Sequence, residues 1–383
     1  MKRALVIVLD SAGCGNAPDA AVYGDEGANT LGHLFERIPG FRLPNLARLG
    51  LYEILRTAEL PFPLPSPPLL AGADFAPMTE RSAGKDSTTG HWELAGCVVE
   101  RPFDTFNSFP EDLVEEIGST AGVNFIGNVS ASGTEILEQL GEKHLRSGAP
   151  ILYTSADSVL QIAAHEETFG LERLWRLCKT TREVLDQRGI RIGRVIARPF
   201  TGRHAGDFKR TANRHDYSLV PPETVLNRLQ EAGVATIGVG KIGDLFAGQG
   251  LSESHPTGSN AEGMAIIGEL WAEGRKEPHL IFVNLVDFDT LYGHRRDPEG
   301  YANCLREFDE WLGKFLPSIG EDLLLITADH GNDPYHAGTD HTREQVPLMA
   351  VNASRCLVDG GDFTQVAKLV SEYFGIADSL DFA

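Results

Sequence analysis

Three apolar, β-rich runs in this chain each end on acids. Leu5-Val6-Ile7-Val8-Leu9 stops at Asp10, and Leu280-Ile281-Phe282-Val283 leads through Leu285 and Val286 to Asp287 and Asp289. A third run, Leu323-Leu324-Leu325-Ile326-Thr327, leads to Asp329 and His330. Apolar runs without alternation are expected as strands of a parallel sheet covered on both faces, and such sheets bind ligands beyond the carboxyl ends of their strands. Carboxylates gathered there at ~4 Å would repel one another by several kcal/mol unless cations stood between them. The pattern predicts an α/β fold with divalent metal at one edge of its sheet.

The rest of the composition narrows the class. With 383 residues, 41 Gly and 21 Pro, the chain has room for one large core and a second, smaller domain. No apolar stretch approaches the ~20 residues of a membrane span, and Met1-Lys2-Arg3-Ala4-Leu5 runs directly into the first strand, so a cytoplasmic protein is expected. Five scattered cysteines without a Cys-x-x-Cys pair read as reduced thiols, Cys178 and Cys304 as core-filling residues. A formal charge of -20 argues against nucleic acid or anionic membrane as partner. It leaves open a small phosphorylated substrate met by local cations and a few aimed Lys and Arg side chains.

Along the chain, a helix is expected through Leu31, Leu34 and Phe35, then an irregular surface excursion from Leu60 to Pro77. The grammar changes from about Arg101 to Asp216. Helices near Glu111 to Ile117 and Thr134 to Leu145 precede strands at Ile151 to Thr154 and Val159 to Ala164, and Leu171, Leu174, Trp175 and Cys178 mark one face of a long helix. A strand at Arg191 to Arg198 comes next, and Pro199 to Asp216 carries the chain back. The α/β rhythm resumes with a helix at Glu223 to Leu229 and a strand at Val234 to Val239. Asp297-Pro298 starts a helix between two acid-bearing strands; a strand at Val346 to Val351 and a helix at Phe363 to Phe374 finish the sheet. The expected organisation is a discontinuous catalytic core, 1–100 and 217–383, with an inserted α+β domain at 101–216.

Asp289 to His294, Asp329-His330 and Asp340-His341 supply carboxylates and imidazoles without thiolate, a donor set suited to manganese, zinc, magnesium or iron. Spacing alone decides neither between Asp287 and Asp289 nor between His336 and His341. Gly84-Lys85-Asp86-Ser87-Thr88-Thr89-Gly90-His91-Trp92-Glu93 sets three hydroxyls before a possible helix, whose amino terminus would offer N–H groups to a phosphate. Metal coordination turns such a hydroxyl into a nucleophile toward phosphorus. As an N-cap, Ser87 or Thr88 would have a purely structural role.

These stretches, with Asp10 to Gly15, Tyr153 to Val159, His165-Glu166-Glu167, Arg194 to Phe200, Asn213 to Tyr217, Gly240 to Asp244, Asp287 to Asp297 and Thr327 to Glu344, resemble the phosphopentomutases of the alkaline phosphatase superfamily over essentially the whole length. The resemblance implies an alkaline-phosphatase-like core sheet with helices on both faces and an inserted cap. It implies one metal on Asp10, Asp329, His330 and the nucleophile Ser87, and another on Asp289, His294 and His341, with Mn2+ as the expected ion. It further implies sugar phosphate contacts at Asp157, Arg194, Ile196, Arg210 and Lys241, a hexose 1,6-bisphosphate as activator, and a place in nucleoside salvage. The family usually has threonine where this chain has Ser87, and more often Asp where it has Asn29. A metal-dependent phosphohydrolase and the cofactor-independent phosphoglycerate mutase are the alternatives that share this site chemistry.

Overall fold

The computed structural model describes residues 2–57, 64–65, 67–155, 158–354, 357 and 361–376. The chain divides into two compact units, Met1–Arg101 with Pro221–Ala383, and Pro102–Val220. Among the described residues no helix is long and apolar enough to cross a membrane.

The larger unit is built on a seven-stranded sheet in the order Glu253–His255, Ala235–Val239, His279–Leu285, Arg3–Leu9, Leu323–Thr327, Val346–Val351, Ala73–Met78. The first five strands are mutually parallel, and Val346–Val351 runs antiparallel to both its neighbours. All three acid-terminated runs lie side by side at the centre, and His279–Leu285 and Leu323–Thr327 are buried at every position. That double-sided burial is why they lack alternation.

Helices cover both faces. Ile242–Leu245 connects strands in one direction along the sheet, whereas Asn260–Ala272 and Pro298–Phe315 connect them in the other, and right-handed crossovers then demand opposite faces. Packing agrees: Ser87–Leu94 lies against Ile242–Leu245 and Gln365–Phe374, while Pro298–Phe315 lies against Pro44–Arg48. The Asp297 carboxylate caps the Pro298–Phe315 helix by accepting from Gly300 N at 2.9 Å, with proline at its first turn.

Two expectations need correction. The stretch expected as an irregular excursion to Pro77 ends in a strand, Ala73–Met78, paired with Val346–Val351. Pro77 is tolerated because the strand is an edge, and the facing Pro347 lies beyond the residues that pair with Leu323–Thr327. Similarly, Pro199 to Asp216 does more than return the chain, since Lys209–Arg210 and His215–Ser218 both pair with the Arg194–Thr201 strand.

The smaller unit is an α+β body whose sheet runs Ile126–Ser130, Ile151–Thr154, Val159–His165, Arg194–Thr201, Lys209–Arg210, with His215–Ser218 also on the Arg194–Thr201 strand. On one face Leu152, Leu160, Ile162, Val195 and Ala197 form a core with Leu174, Leu177 and Cys178 of the Leu171–Gln187 helix. On the other, Ile151, Tyr153, Ala163 and Phe200 meet Ile136 and Leu137 of the Glu135–Ser147 helix. Cys178 and Cys304 are buried, as expected of core-filling thiols, and Cys356 lies outside the described residues.

Candidate active site

The parallel register brings two acids level. Val8 is paired with Thr327, and Asp10 and Asp329 each stand two residues further on, at the carboxyl edge of the sheet. Behind Asp10 the chain turns sharply through Ser11, whose φ of 74° is a left-handed conformation uncommon outside glycine. The turn lets Ser11 N donate to Asp329 Oδ1 at 3.0 Å, while Ser11 Oγ meets the fully buried Tyr301 hydroxyl at 3.0 Å.

Asp10, Asp329 and His330 converge so that one ligand atom from each lies within 4.8 Å of the others. His330 Nε2 is 3.5 Å from Asp10 Oδ1 and 3.4 Å from Asp329 Oδ2, and its Nδ1 faces the Gly331 carbonyl at 3.0 Å. Both acids are fully buried; among the described residues Asp10 Oδ1 has no hydrogen-bond partner, and Asp329 Oδ2 has only imidazoles beside it, His91 Nδ1 at 3.1 Å and His330 Nε2 at 3.4 Å. Burial, with Asp329 alongside, pushes the Asp10 carboxyl up. Burial acts in the same sense on Asp329, but the His330 and His91 imidazoles outweigh it and hold the group at about 2. An unpartnered Asp10 oxygen, an Asp329 oxygen met only by imidazoles and the His330 ring nitrogen, all buried together, fit a divalent cation, which would relieve the repulsion directly.

Asp289, His294 and His341 form a second group of the same kind. Asp289 stands on a π turn, Phe288–Gly293, that comes after the His279–Leu285 strand, and His294 caps the end of that turn. His294 Nε2 is 3.2 Å from Asp289 Oδ2, and His341 Nε2 is 3.4 Å from Asp289 Oδ1. His294 Nδ1 lies 2.7 Å from the Thr339 carbonyl, which as acceptor fixes the tautomer and leaves Nε2 to bind metal. Burial raises the Asp289 carboxyl, but His341 and His294 more than offset it and leave it well below the usual range. The two groups adjoin, since the His330 and His341 rings stack with centroids 4.0 Å apart.

Both ambiguous pairs separate in space. Asp287 exchanges two hydrogen bonds with Asn260, accepting from its N–H at 2.7 Å and donating to its side chain at 2.9 Å, so it anchors a helix start. His336 Nε2 lies 3.9 Å from Asp25 Oδ1 and belongs to neither donor group.

Ser87 is the first residue of the Ser87–Leu94 helix, and its Oγ is 3.1 Å from His330 Nε2. Neither Ser87 nor Thr88 is the N-cap. Asp86 fills that place, and its Oδ1 accepts from Thr88 N at 2.9 Å and Thr89 N at 3.2 Å. Of the N–H groups that this helix start is expected to offer a phosphate, Asp86 has taken two, those of Thr88 and Thr89. Thr89 Oγ1 is also committed, donating to the Asp86 carbonyl at 2.9 Å. Among the described residues, the Ser87 hydroxyl is the one of the three that meets a member of the two carboxylate–imidazole groups.

Several residues that matter here carry no signal of their own in the sequence. His91, fully buried one turn after Ser87, has Nδ1 2.8 Å from the Ser87 carbonyl and 3.1 Å from Asp329 Oδ2, tying helix to acid. Asn284 and Asn332 donate to Asp10 Oδ2 and Asp289 Oδ1 at 3.1 and 2.7 Å. Arg343 threads its buried guanidinium to Glu80, Asp19 and the carbonyls of Ser82 and Gly84, holding the segment that leads to Ser87. Glu344 accepts from Gly15 N, Thr30 N, Thr30 Oγ1 and Thr342 Oγ1 at 3.0, 2.8, 2.7 and 2.6 Å, joining three loops. Asn29 caps the Thr30–Arg37 helix by accepting from Gly32 N at 2.9 Å.

Of the expected sugar phosphate contacts, Lys241 lies in the larger unit with Nζ 3.3 Å from Asp10 Oδ2. Arg194, Ile196 and Arg210 lie in the smaller one. Arg194 Nη1 is 3.6 Å from Asp216 Oδ2, Ile196 is buried, and Arg210 Nη2 reaches Thr134 Oγ1 at 3.5 Å. Asp157 lies outside the described residues.

Residues 2–378 match the model of the metalloenzyme superfamily. A phosphopentomutase of Symbiobacterium thermophilum is 53% identical over 352 residues, covering 91% of this chain and 88% of that protein. Another, from Syntrophotalea carbinolica, is 49% identical over 384 residues, covering 98% and 95%. A crystal structure of Leishmania mexicana phosphoglycerate mutase, determined at low cobalt concentration, shares the fold with a TM-score of 0.51 over 100% of this chain and 97% of that one, at 12% identity. With relatives this similar over nearly its full length, the chain belongs to the phosphopentomutase family of isomerases, within the metalloenzyme superfamily.

Proposed function

We propose that the protein interconverts ribose 1-phosphate and ribose 5-phosphate, and their 2-deoxy counterparts, through a phosphorylated Ser87. The observation that carries this reading is the Ser87 hydroxyl at 3.1 Å from His330 Nε2, beside two adjoining carboxylate–imidazole groups. Two divalent ions, Mn2+ by family resemblance, would be held by Asp10, Asp329, His330 and Ser87 and by Asp289, His294 and His341. When bound they would acidify the serine hydroxyl and neutralise phosphoryl oxygens.

The chain's own groups account for the rest. Phosphorylated Ser87 gives its phosphoryl group to the free hydroxyl of the sugar monophosphate, forming a 1,5-bisphosphate and leaving the serine oxygen unsubstituted. That oxygen then takes the other phosphoryl group, so the isomeric monophosphate leaves and phosphoserine is restored. A hexose 1,6-bisphosphate serves as primer in this reading. Lys241, near Asp10, adds positive charge at the reacting end, and Arg194 and Arg210 hold the distal phosphate, Arg in the forked geometry that suits it.

Interconversion of the two ribose phosphates, measured together with release of inorganic phosphate, tests the reading. The expected result is isomerisation with little release, abolished by chelation and restored by Mn2+. Rapid release without isomerisation would instead indicate a phosphohydrolase, and activity on 3-phosphoglycerate alone a phosphoglycerate mutase.

A further inference from the structure

The smaller unit gathers positive charge on one sheet face. Along the Arg194–Thr201 strand, alternation puts Arg194, Ile196 and Arg198 on the same side, and the neighbouring strands add Gln161, Tyr153 and Asp216 at paired positions. Asp216 is engaged twice: Arg214 Nε donates to its Oδ1 at 2.7 Å, and Arg194 Nη1 stands 3.6 Å from its Oδ2. Glu166, just beyond the Val159–His165 strand, accepts from Asn213 Nδ2 at 2.9 Å and from the Thr211 hydroxyl.

Arg198 is different. Its Nε donates to the neutral Gln161 Oε1 at 3.0 Å, and among the described residues no carboxylate is within ion-pair distance of it. Burial, and then the guanidinium of Arg214, bring the Arg198 group down to about 10; Arg210 acts in the same sense, and Tyr153 and Asp216 oppose them. A guanidinium held fast in a half-buried place among like charges is costly in the free protein. It is a good receptor for an anion that arrives with two oxygens to share.

The geometry points to Arg198 as a further binding residue of the smaller unit, one that receives the phosphate of a phosphomonoester on the sheet face it shares with Arg194. This rests on the pentose phosphate reading for its natural ligand, but the anion site itself does not depend on it. Tyr153 and Gln161 act as its support. They hold the guanidinium plane without neutralising it, which a carboxylate at either position would do.

A structural arginine and a receptor arginine respond oppositely to neutralisation. In the full-length, metal-stripped protein, Arg198→Gln is expected to leave the unfolding midpoint equal to or above that of the wild type without phosphate. It is also expected to abolish the rise in midpoint that inorganic phosphate produces in the wild type. With Mn2+ restored, KM for ribose 5-phosphate should rise about 10- to 100-fold while kcat changes much less, as for loss of a charge-assisted fork. A lowered midpoint with the phosphate response intact, or an unchanged KM in an active variant, would overturn the assignment. If the wild type interconverts no pentose phosphates yet shows an Arg198-dependent response to phosphate, the function reading fails and the anion site stands.

Discussion

Replacing Glu344 by Gln and by Ala should have sharply different costs, because the four donors around its carboxylate are of two kinds. Oε2 accepts from the backbone N–H groups of Gly15 and Thr30, which have no alternative, whereas Oε1 accepts from the hydroxyls of Thr30 and Thr342, which can rotate. Those hydroxyls also accept from Asn332 N and Asp333 N. Gln with its oxygen in the Oε2 place keeps both backbone bonds and loses only hydroxyl donors, a cost of roughly 1–2 kcal/mol. Ala strands two buried N–H groups and empties a packed site, at roughly 4–6 kcal/mol.

The pH dependence gives a second, independent signature. Burial, reinforced by the Asp333 carboxylate, brings Glu344 from its ordinary 4.5 up to about 7. Between those values the folded state binds a proton that the unfolded chain releases, so this contribution is complete below about pH 4.5 and is lost as pH rises through about 7, by roughly 3 kcal/mol. Gln cannot titrate. Urea unfolding of wild type and Glu344→Gln at intervals from pH 5 to 8 should show the wild type losing stability relative to the variant as pH rises. A difference that stays constant with pH, or a Gln variant as damaged as the Ala variant, would refute this account of the site's scaffold.

Ser87→Ala should eliminate acid-stable phosphoenzyme, measured by labelling, whereas Ser87→Thr should retain it; labelling that survives in the Ala variant would move the nucleophile to Thr88 or Thr89. Asp289→Asn should reduce bound metal by about one equivalent in elemental analysis, and Asp287→Ala should leave it unchanged while lowering stability by about 1–3 kcal/mol through loss of the carboxylate that accepts from Asn260 N. Gly90→Ala would set a methyl group 2.1 Å from the Asp329 carbonyl oxygen, so the helix carrying Ser87 must move. The expected result is a loss of at least about 1–3 kcal/mol and weaker metal binding in calorimetric titration, and wild-type values would show that the helix yields freely.

The strand-end acids were legible because a strand buried on both faces leaves an unbroken apolar run, and the parallel register then fixes where its last residue points. The edge strand Ala73–Met78 was not, because one-sided pairing tolerates small residues and Pro77, which resemble a loop. Asp289 and His294 are close in sequence, yet only the π turn between them shows why Asp289 faces the imidazoles and Asp287 faces Asn260. Glu344, Arg343 and His91 escaped for a further reason: about half of their partners are backbone groups, which any sequence would supply, and most of the rest are distant in the chain. Arg198 was hidden by its neighbours, since its distinction lies in which acids have already been taken.

The central strand of the larger sheet, Arg3–Leu9, lies between strands that begin at His279 and Leu323. During synthesis, then, this strand must wait for nearly three hundred residues before either flank exists, exposing an unpaired, adhesive edge in the meantime. The continuous unit from Pro102 to Val220 leaves the ribosome well before that and completes its own sheet without any residue made later. Birth order therefore favours the smaller body folding first, with the larger one closing late around its oldest segment, and makes the nascent Arg3–Leu9 stretch the place where a chaperone has most to protect.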